Sequence, residues 1–416
     1  MPVLGIVAEY NPFHNGHQYL IEEAHKNNHF SATVCVMSGS FLQRGEPAFC
    51  NKWARAEMAL NCGIDLVIEL PFFLAARSAF YFARGALQLL HRTGVVTHLA
   101  FGCESNNIHM LNSIADIIAH EPEPYKSDLK KHLSRGLSFP LARSRSIQQF
   151  ISDNTKELSD TLLGPNNILA IEYLRVIEQY NLPLIPIAIK RHGSSYHSHE
   201  LSDFASATAI RKAILNGSDT DELKKYMPTS TIDILKREEH SGRCPVLYDS
   251  LEKAILIKLR TASASALRET YEISEGLEHR IKEAANSCGT LSELRQFIKS
   301  KRYSLTRINR ILLYILFNLS KNSVCLFDEY GPLYLHILGF SAKGQKILQE
   351  IKNKSHIEIF NRGSNIKEIY VKEKDSTIGQ MLSLDIQTTN VYNVLFPNPL
   401  ARKGGSDFTT TSIRFD

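Results

Sequence analysis

His14-Asn15-Gly16-His17 directly follows a short apolar run near the start of the chain. A loop leading from a buried strand into a helix presents free backbone N–H groups and the positive end of the helix dipole, which together attract phosphate. Gly16 lets the backbone approach a triphosphate closely. His14 and His17 are three residues apart and project to one side of the helix start. Two imidazoles so placed can donate hydrogen bonds to phosphoryl oxygens as charge grows in a transition state. Positioning and charge stabilisation carry most of such a reaction, so no covalent enzyme group is required. The spacing therefore implies chemistry at a nucleotide α-phosphate. No third ligand stands at a recognisable spacing from the two histidines, so no metal site is expected here.

A partner segment, Ser206-Ala207-Thr208-Ala209-Ile210-Arg211, follows Leu184–Ile189, expected to be the last strand of the chain's sheet, and opens another helix. Ser206 or Thr208 would cap that helix, and hydroxyls and N–H groups there can hold β- and γ-phosphates. Arg211 would neutralise the charge of an outgoing pyrophosphate. Lys190-Arg191-His192-Gly193 lies at a strand's carboxyl end, where open α/β sheets bind ligands. Gly102 ends another strand, as a plain turn or as bare backbone against which adenine or ribose packs. Asn166 and Asn167 could cap a helix, or one of them could face a nucleotide. Ser38 through Pro47 combines Gly39 and Gly45 with Gln43 and Arg44. It reads as a loop over the site able to hold a small acidic co-substrate or a nucleotide.

These residues need a scaffold, and the first half supplies one. Val3–Ala8, Ala32–Met37, Leu66–Leu70, His98–Phe101 and Leu184–Ile189 are short apolar runs suited to strands buried on both faces. Helical spacing covers Gly16–Lys26, Lys52–Asn61, Ala79–His91, Ile108–Ala119 and Asn166–Tyr180. The alternation implies an α/β fold, a Rossmann-like, doubly wound parallel sheet. Tyr125–Asn154 is a polar helical insertion. From about Lys224 the alternation stops, and Leu247–Leu259, Leu277–Asn286, Leu291–Ser300 and Arg307–Leu319 carry helical spacing. The expected organisation is a nucleotide-binding catalytic domain over 1–240, a mostly α-helical, basic domain over 245–328, and a small mixed unit over 329–416 packed on the helical one.

The composition, 43% hydrophobic and 22% charged, is that of a globular chain, and a net charge of +5 excludes a polycation. Any nucleic-acid surface must come from local clustering of the 48 Lys and Arg residues. Seven scattered cysteines include no C-x-x-C pair, which favours reduced thiols over a disulfide framework. The first residues lack a signal-peptide pattern, and no apolar run approaches a membrane span. A cytoplasmic protein without membrane attachment is expected.

With these residues assembled, a resemblance can be named. Glu9–His17 and Ser206–Arg211 resemble the two signatures of the HIGH-type nucleotidyltransferase superfamily. Within it the chain is similar to the bacterial tRNA(Met) cytidine acetate ligase family in the blocks 38–47, 63–71, 101–104, 165–173, 190–193 and 305–316. Ser40 and Cys103 depart from the residues usual there. The resemblance implies activation of acetate with ATP to acetyl-adenylate, releasing pyrophosphate, and acetyl transfer to the exocyclic amine of the wobble cytidine of elongator tRNA(Met). It further implies ATP contacts at Val7, Ala8, Glu9, Tyr10, Asn11, Pro12, Phe13, His14, Asn15, Gly16, His17, Gln18, Tyr19 and Leu20, and at Gly102, Asn166, Arg191 and His192. Ser38, Gly39, Gln43 and Arg44 are expected at the small substrate, and Mg²⁺, if used, is expected to be carried by ATP. No obligate protein partner is expected.

A tRNA partner needs a basic surface. Between Glu293 and Asp328 no acidic residue occurs, while Arg295, Lys299, Lys301, Arg302, Arg307, Arg310 and Lys321 do, with Tyr303 among them. An aromatic beside Arg and Lys can stack on an unpaired base; a solvated helix face is the other reading. Lys130, Lys131, Arg135, Arg143 and Arg145 form a second basic stretch with the same two readings. Two alternatives compete: a small-metabolite adenylyltransferase, which has no need of a large helical domain, and a non-catalytic nucleotide- or RNA-binding protein, which has no need of the paired His14/His17 and Thr208/Arg211.

Overall fold

The structure, a computed structural model, describes residues 1–26, 28–105, 107–151, 156–191 and 205–415. His192 and Gly193 lie outside the described residues. Eight strands among the described residues form one sheet: β1 (Val3–Ala8), β2 (Ala32–Ser38), β3 (Leu66–Leu70), β4 (His98–Cys103), β5 (Ile185–Lys190), β6 (Tyr334–Ser341), β7 (Glu358–Phe360) and β8 (Ile413–Phe415). Helices α1 (Asn15–Lys26), α2 (Lys52–Asn61), α3 (Phe72–Ala75), α4 (Ala79–Arg92), α5 (Ile108–His120), α6 (Glu123–Ser134), α7 (Phe139–Ile151), α8 (Lys156–Leu163), α9 (Pro165–Gln179) and α10 (Ala207–Leu215) cover its first half.

The sheet order is β5-β4-β1-β2-β3-β6-β7, with β8 also on β6. Successive residues of β2 bury in opposite directions. Val34 and Val36 join the core that includes α4 and α9 residues, and Cys35 and Met37 the one that includes α1, α2 and α10 residues. That two-sided burial is why β2 and β3 read as mostly apolar runs, each interrupted by a buried polar residue, Thr33 or Glu69. β5 is an edge strand with Ile185 exposed, and Pro186 is tolerated there. The chain runs outward from β1 to β2 and β3 on one side and to β4 and β5 on the other. The switch point therefore lies between β1 and β4.

Two expectations need correction. β5 is not the last strand of the sheet, and 329–416 is not a separate unit resting on the helical region. β6 pairs antiparallel with β3 (Ile68 with Ile337, Glu69 with His336), and β7 and β8 then pair parallel to β6. The physical reason is β3 itself. Its residues are all buried, so its outer edge cannot be left to solvent and is covered by the end of the chain.

A buried charge cluster closes that seam. Lys52 of α2 donates to both carboxylate oxygens of Glu69 at 2.9 and 2.8 Å, to Asp407 at 2.6 Å and to Thr389 at 3.1 Å. His336 Nδ1 lies 2.6 Å from Glu69. Glu69, His336 and Asp407 converge closely enough to suggest a metal, but the Lys52 ammonium already touches both carboxylates.

The helices after Ser241, among them Glu252–Thr261, Leu277–Ser287, Leu291–Ile298 and Leu305–Leu316, pack on the same core as α4. Arg77 pins them. Its guanidinium bonds Asp328 at 2.7 and 3.0 Å and Tyr271 at 2.6 Å, and lies 3.4 Å from the centre of the Tyr81 ring. All seven cysteines are free. No helix among the described residues is long and apolar enough to cross a membrane.

Candidate nucleotide-binding site

A cavity of about 370 Å³ opens beyond the carboxyl ends of β1 and β4. The turn entering it is tight. Tyr10 has φ +46°, a left-handed conformation that costs a non-glycine residue roughly 1–3 kcal/mol. Its neighbours hold it there. Asn11 Oδ1 accepts the Phe49 N–H at 2.7 Å, and Arg211 donates to the Asn11 carbonyl at 2.8 Å. Arg55, fully buried and not anticipated from sequence, donates to the carbonyls of Glu9 (2.7 Å), Ser38 (3.0 Å), Cys50 (3.0 Å) and Gly39. One guanidinium thus ties the loops after β1 and β2 together.

The two imidazoles stack, with centroids 3.8 Å apart. The Gly16 N–H donates to His14 Nδ1 at 3.1 Å, and the His14 N–H donates to His17 Nδ1 at 3.2 Å. A ring that accepts at Nδ1 while neutral must carry its proton on Nε2. Both rings are held neutral. Burial, then Arg191 and Arg211, push the His14 pKa down to about 3. Burial, His14 and Arg191 push that of His17 well below its usual value. The pair therefore presents two Nε2–H donors without requiring a proton from solvent. Gly16 is required sterically, since a Cβ there would meet the His14 ring at 2.9 Å.

This arrangement has a consequence for stability. Both folded-state pKa values lie below the unfolded value of about 6.5, so the unfolded chain binds more protons as the pH falls below that point. Stability is unaffected by these groups above pH 7 and declines below about 6.5. Between pH 7 and pH 5 the expected loss from His14 is roughly 2 kcal/mol, and His17 adds to it in the same direction. Urea midpoints should show a shallower decline for His14→Asn than for the native chain; parallel curves would refute this.

The cavity wall also carries Gly102, Asn166, Arg191, Ser206, Thr208 and Arg211. Ser206 caps α10 by accepting the Ala209 N–H at 3.2 Å, and Arg211 reaches Thr208 at 3.3 Å. Arg191 donates to Asn166 at 3.3 Å. Asn166 lines the cavity, whereas Asn167 is buried and accepts the Glu104 and Ser105 N–H groups, so of the two only Asn166 faces the cavity.

Of the first-loop residues, Val7, Ala8, Glu9, Tyr10, Asn11, His14, Gly16, His17 and Leu20 line this cavity. Tyr19 lines a small adjoining hollow. Pro12, Phe13, Asn15 and Gln18 do not line it: Phe13 is core, Asn15 donates to the Lys225 carbonyl and Gln18 to Glu22. Gln43 and Arg44 line the cavity with Leu42 and Glu46, but Ser38 and Gly39 do not. Ser38 is buried, and a Cβ on Gly39 would collide with Glu69. The 38–47 segment is not a free surface loop. Gly45, at φ +76°, packs on the Asn309–Arg310 backbone. Leu169 and Tyr173, absent from the sequence-derived set, also line the wall. Their spacing of three and seven from Asn166 was the signal that could have found them.

The expected tRNA residues do not make one exposed face. Lys299 and Lys301 are exposed, but Arg302 pairs with Glu275 and Arg307 with Glu272 at 3.0 Å. Arg295 lies over Tyr248 with its Cζ 4.7 Å from the ring centre, and Arg310 is buried. Tyr303 is buried too, beneath Arg307, and so does not present a stacking face. In the second stretch Arg143 is spent on Glu172 at 2.5 Å.

Residues 1–407 match the model of the HIGH Nucleotidyl Transferase family. A tRNA(Met) cytidine acetate ligase of Syntrophomonas wolfei is 61% identical over 413 residues, 99% of each chain. One of Halothermothrix orenii is 42% identical over the whole of both chains. The crystal structure of apo Thermotoga maritima TmcAL superposes with a TM-score of 0.94 at 35% identity, covering 100% of both chains. That of the same protein bound with alpha-thio ATP gives 0.92 at 35% identity, covering 100% of this chain and 99% of that one. The chain belongs to the HIGH nucleotidyltransferase family and, within it, to the tRNA(Met) cytidine acetate ligases.

Proposed function

We propose that this protein is an ATP-dependent ligase that converts acetate to acetyl-adenylate and passes the acetyl group to the exocyclic amine of the wobble cytidine of elongator tRNA(Met), yielding N4-acetylcytidine, AMP and pyrophosphate. The observation that carries the reading is the pair of neutral, stacked imidazoles at a switch-point cavity, whose two Nε2–H donors have no partner among the described residues. The ATP analogue bound by the Thermotoga relative supports it.

The first step joins an acetate oxygen to the α-phosphorus and breaks the bond to pyrophosphate. His14 and His17 donate to the oxygens that gain charge. Ser206, Thr208 and Arg211, at the start of α10, hold the leaving phosphates. Asn166, Arg191, Ser206, Thr208 and Arg211 in the cavity lining are cations and neutral donors, which suits phosphate. Mg²⁺ would accordingly arrive with ATP. Gln43 and Arg44, which line the same cavity, would receive acetate. The tRNA would approach over the helical region, with Lys299 and Lys301 as its available cations and Arg295, Arg302, Arg307 and Arg310 bracing that surface. The setting is cytoplasmic.

The test is direct. Incubation with ATP, labelled acetate and tRNA(Met), followed by nuclease digestion, should yield labelled acetylcytidine. Turnover of another phosphorylated metabolite with no label in RNA would favour a small-molecule adenylyltransferase instead.

A further inference from the structure

The acetyl-transfer step needs a proton acceptor, and the two histidines cannot serve. Their Nδ1 lone pairs are occupied by backbone N–H groups, and their Nε2 atoms already carry protons. The arginines of the cavity are permanent cations. Among the described lining residues, two carboxylates remain, Glu9 and Glu46.

Glu9 lines the cavity next to Gln43. Its backbone carbonyl is fixed by Arg55, and its Oε1 accepts the Gln43 N–H at 2.7 Å. Gln43 is itself anchored by a 3.0 Å bond from its Nε2 to the Arg77 carbonyl. The other oxygen, Oε2, makes no hydrogen bond among the described residues. Leu42, Phe82 and Tyr173 add apolar wall to the same cavity. The carboxyl thus stands five residues before His14 on the same rigid loop, beside the segment expected to hold acetate.

Building on the acetyl-transfer reading above, we infer that Glu9 accepts the proton that the cytosine exocyclic amine loses as it attacks the acetyl carbonyl. The amine nitrogen forms a bond to the carbonyl carbon. The bond from that carbon to the adenylate oxygen then breaks, and AMP leaves with the electron pair. One amine proton moves to the free Glu9 oxygen and from there to solvent. Burial raises the Glu9 pKa, despite the Gln43 N–H, Arg55 and Arg44, which makes the carboxylate a stronger base than an exposed one.

The experiment is single-turnover transfer from enzyme-bound acetyl-adenylate to tRNA(Met), quenched rapidly between pH 5 and pH 8, with acetate-dependent pyrophosphate exchange measured alongside. The native enzyme should show a rate that climbs with pH and levels off. Glu9→Gln should slow transfer by about 10²-fold or more, by a larger factor than it slows exchange, and should lose the rising limb. Glu9→Asp should recover the limb and part of the rate. A native profile without a limb, a limb that persists in Glu9→Gln, or equal losses in both steps would overturn the assignment. Native enzyme that leaves no label on tRNA would instead refute the underlying acetyl-transfer reading.

Discussion

His17→Ala is expected to slow acetyl-adenylate formation by about 10²–10³-fold, the usual cost of removing one preorganised donor from a developing oxyanion. The geometry suggests the upper part of that range. The His17 ring both offers a donor and accepts the His14 N–H, so its loss also loosens the loop that carries the second donor. It packs edge-on to Tyr10 at 4.9 Å and against Phe13 at 5.4 Å, which places its Nε2–H without rotational freedom. Acetate-dependent pyrophosphate exchange reads the effect, and tRNA binding by filter retention provides the control. Retained tRNA binding with exchange lost is the expected pattern. Loss of both to the same degree would mean that the fold had failed, and exchange within a few fold of native would remove His17 from the reaction. His17→Asn, which keeps a side-chain N–H, should recover part of the rate.

The second large effect is on stability. Lys52→Met removes the ammonium that neutralises Glu69 and Asp407, all three buried beneath the seam between β3 and the last strands. Breaking a buried ion pair from one side typically costs 3–5 kcal/mol, because the abandoned charge has no water to turn to. Here Asp407 loses its ammonium while Glu69 keeps His336, and Asp407 Oδ2 has no hydrogen-bond partner among the described residues even with Lys52 present. Burial alone would make Lys52 less basic, yet Asp407 and Glu69 outweigh it and raise its pKa, so the folded state favours the charged ammonium. Equilibrium denaturation should show a loss on the order of 4 kcal/mol. The triple variant Lys52→Met, Glu69→Gln, Asp407→Asn should recover much of it. An unchanged midpoint for the single variant would show that the cluster does not hold the chain's end to the sheet.

Much of the first half was legible because its signals are local. A strand buried on both faces has to be apolar at consecutive positions, so Val3–Ala8 and Leu66–Leu70 have the same bounds in sequence and structure. Lys52–Asn61 was readable for the matching reason: its apolar period is helical, and Asn51 before it accepts the Ala54 N–H as a cap. The spacing of His14, Gly16 and His17 was sufficient to imply two donors over a phosphate, because three residues at a helix start define their own geometry.

Tertiary structure decided everything that depends on a partner distant in sequence. Periodicity reports that Tyr334–Ser341 is buried, but not that its neighbour is β3. A run without acids from Glu293 to Asp328 reads as a basic face until Glu272 and Glu275 fold back onto Arg307 and Arg302. Glycines and polar residues at 38–47 read as surface until Arg55 and the helical region enclose them. The tautomer of each histidine depends on which backbone N–H meets Nδ1, a matter of ångströms that residue type does not encode. The sequence alone determined which groups could act on a phosphate. Long-range packing decided which of them face the cavity, how they are protonated, and which nearby charges are already neutralised.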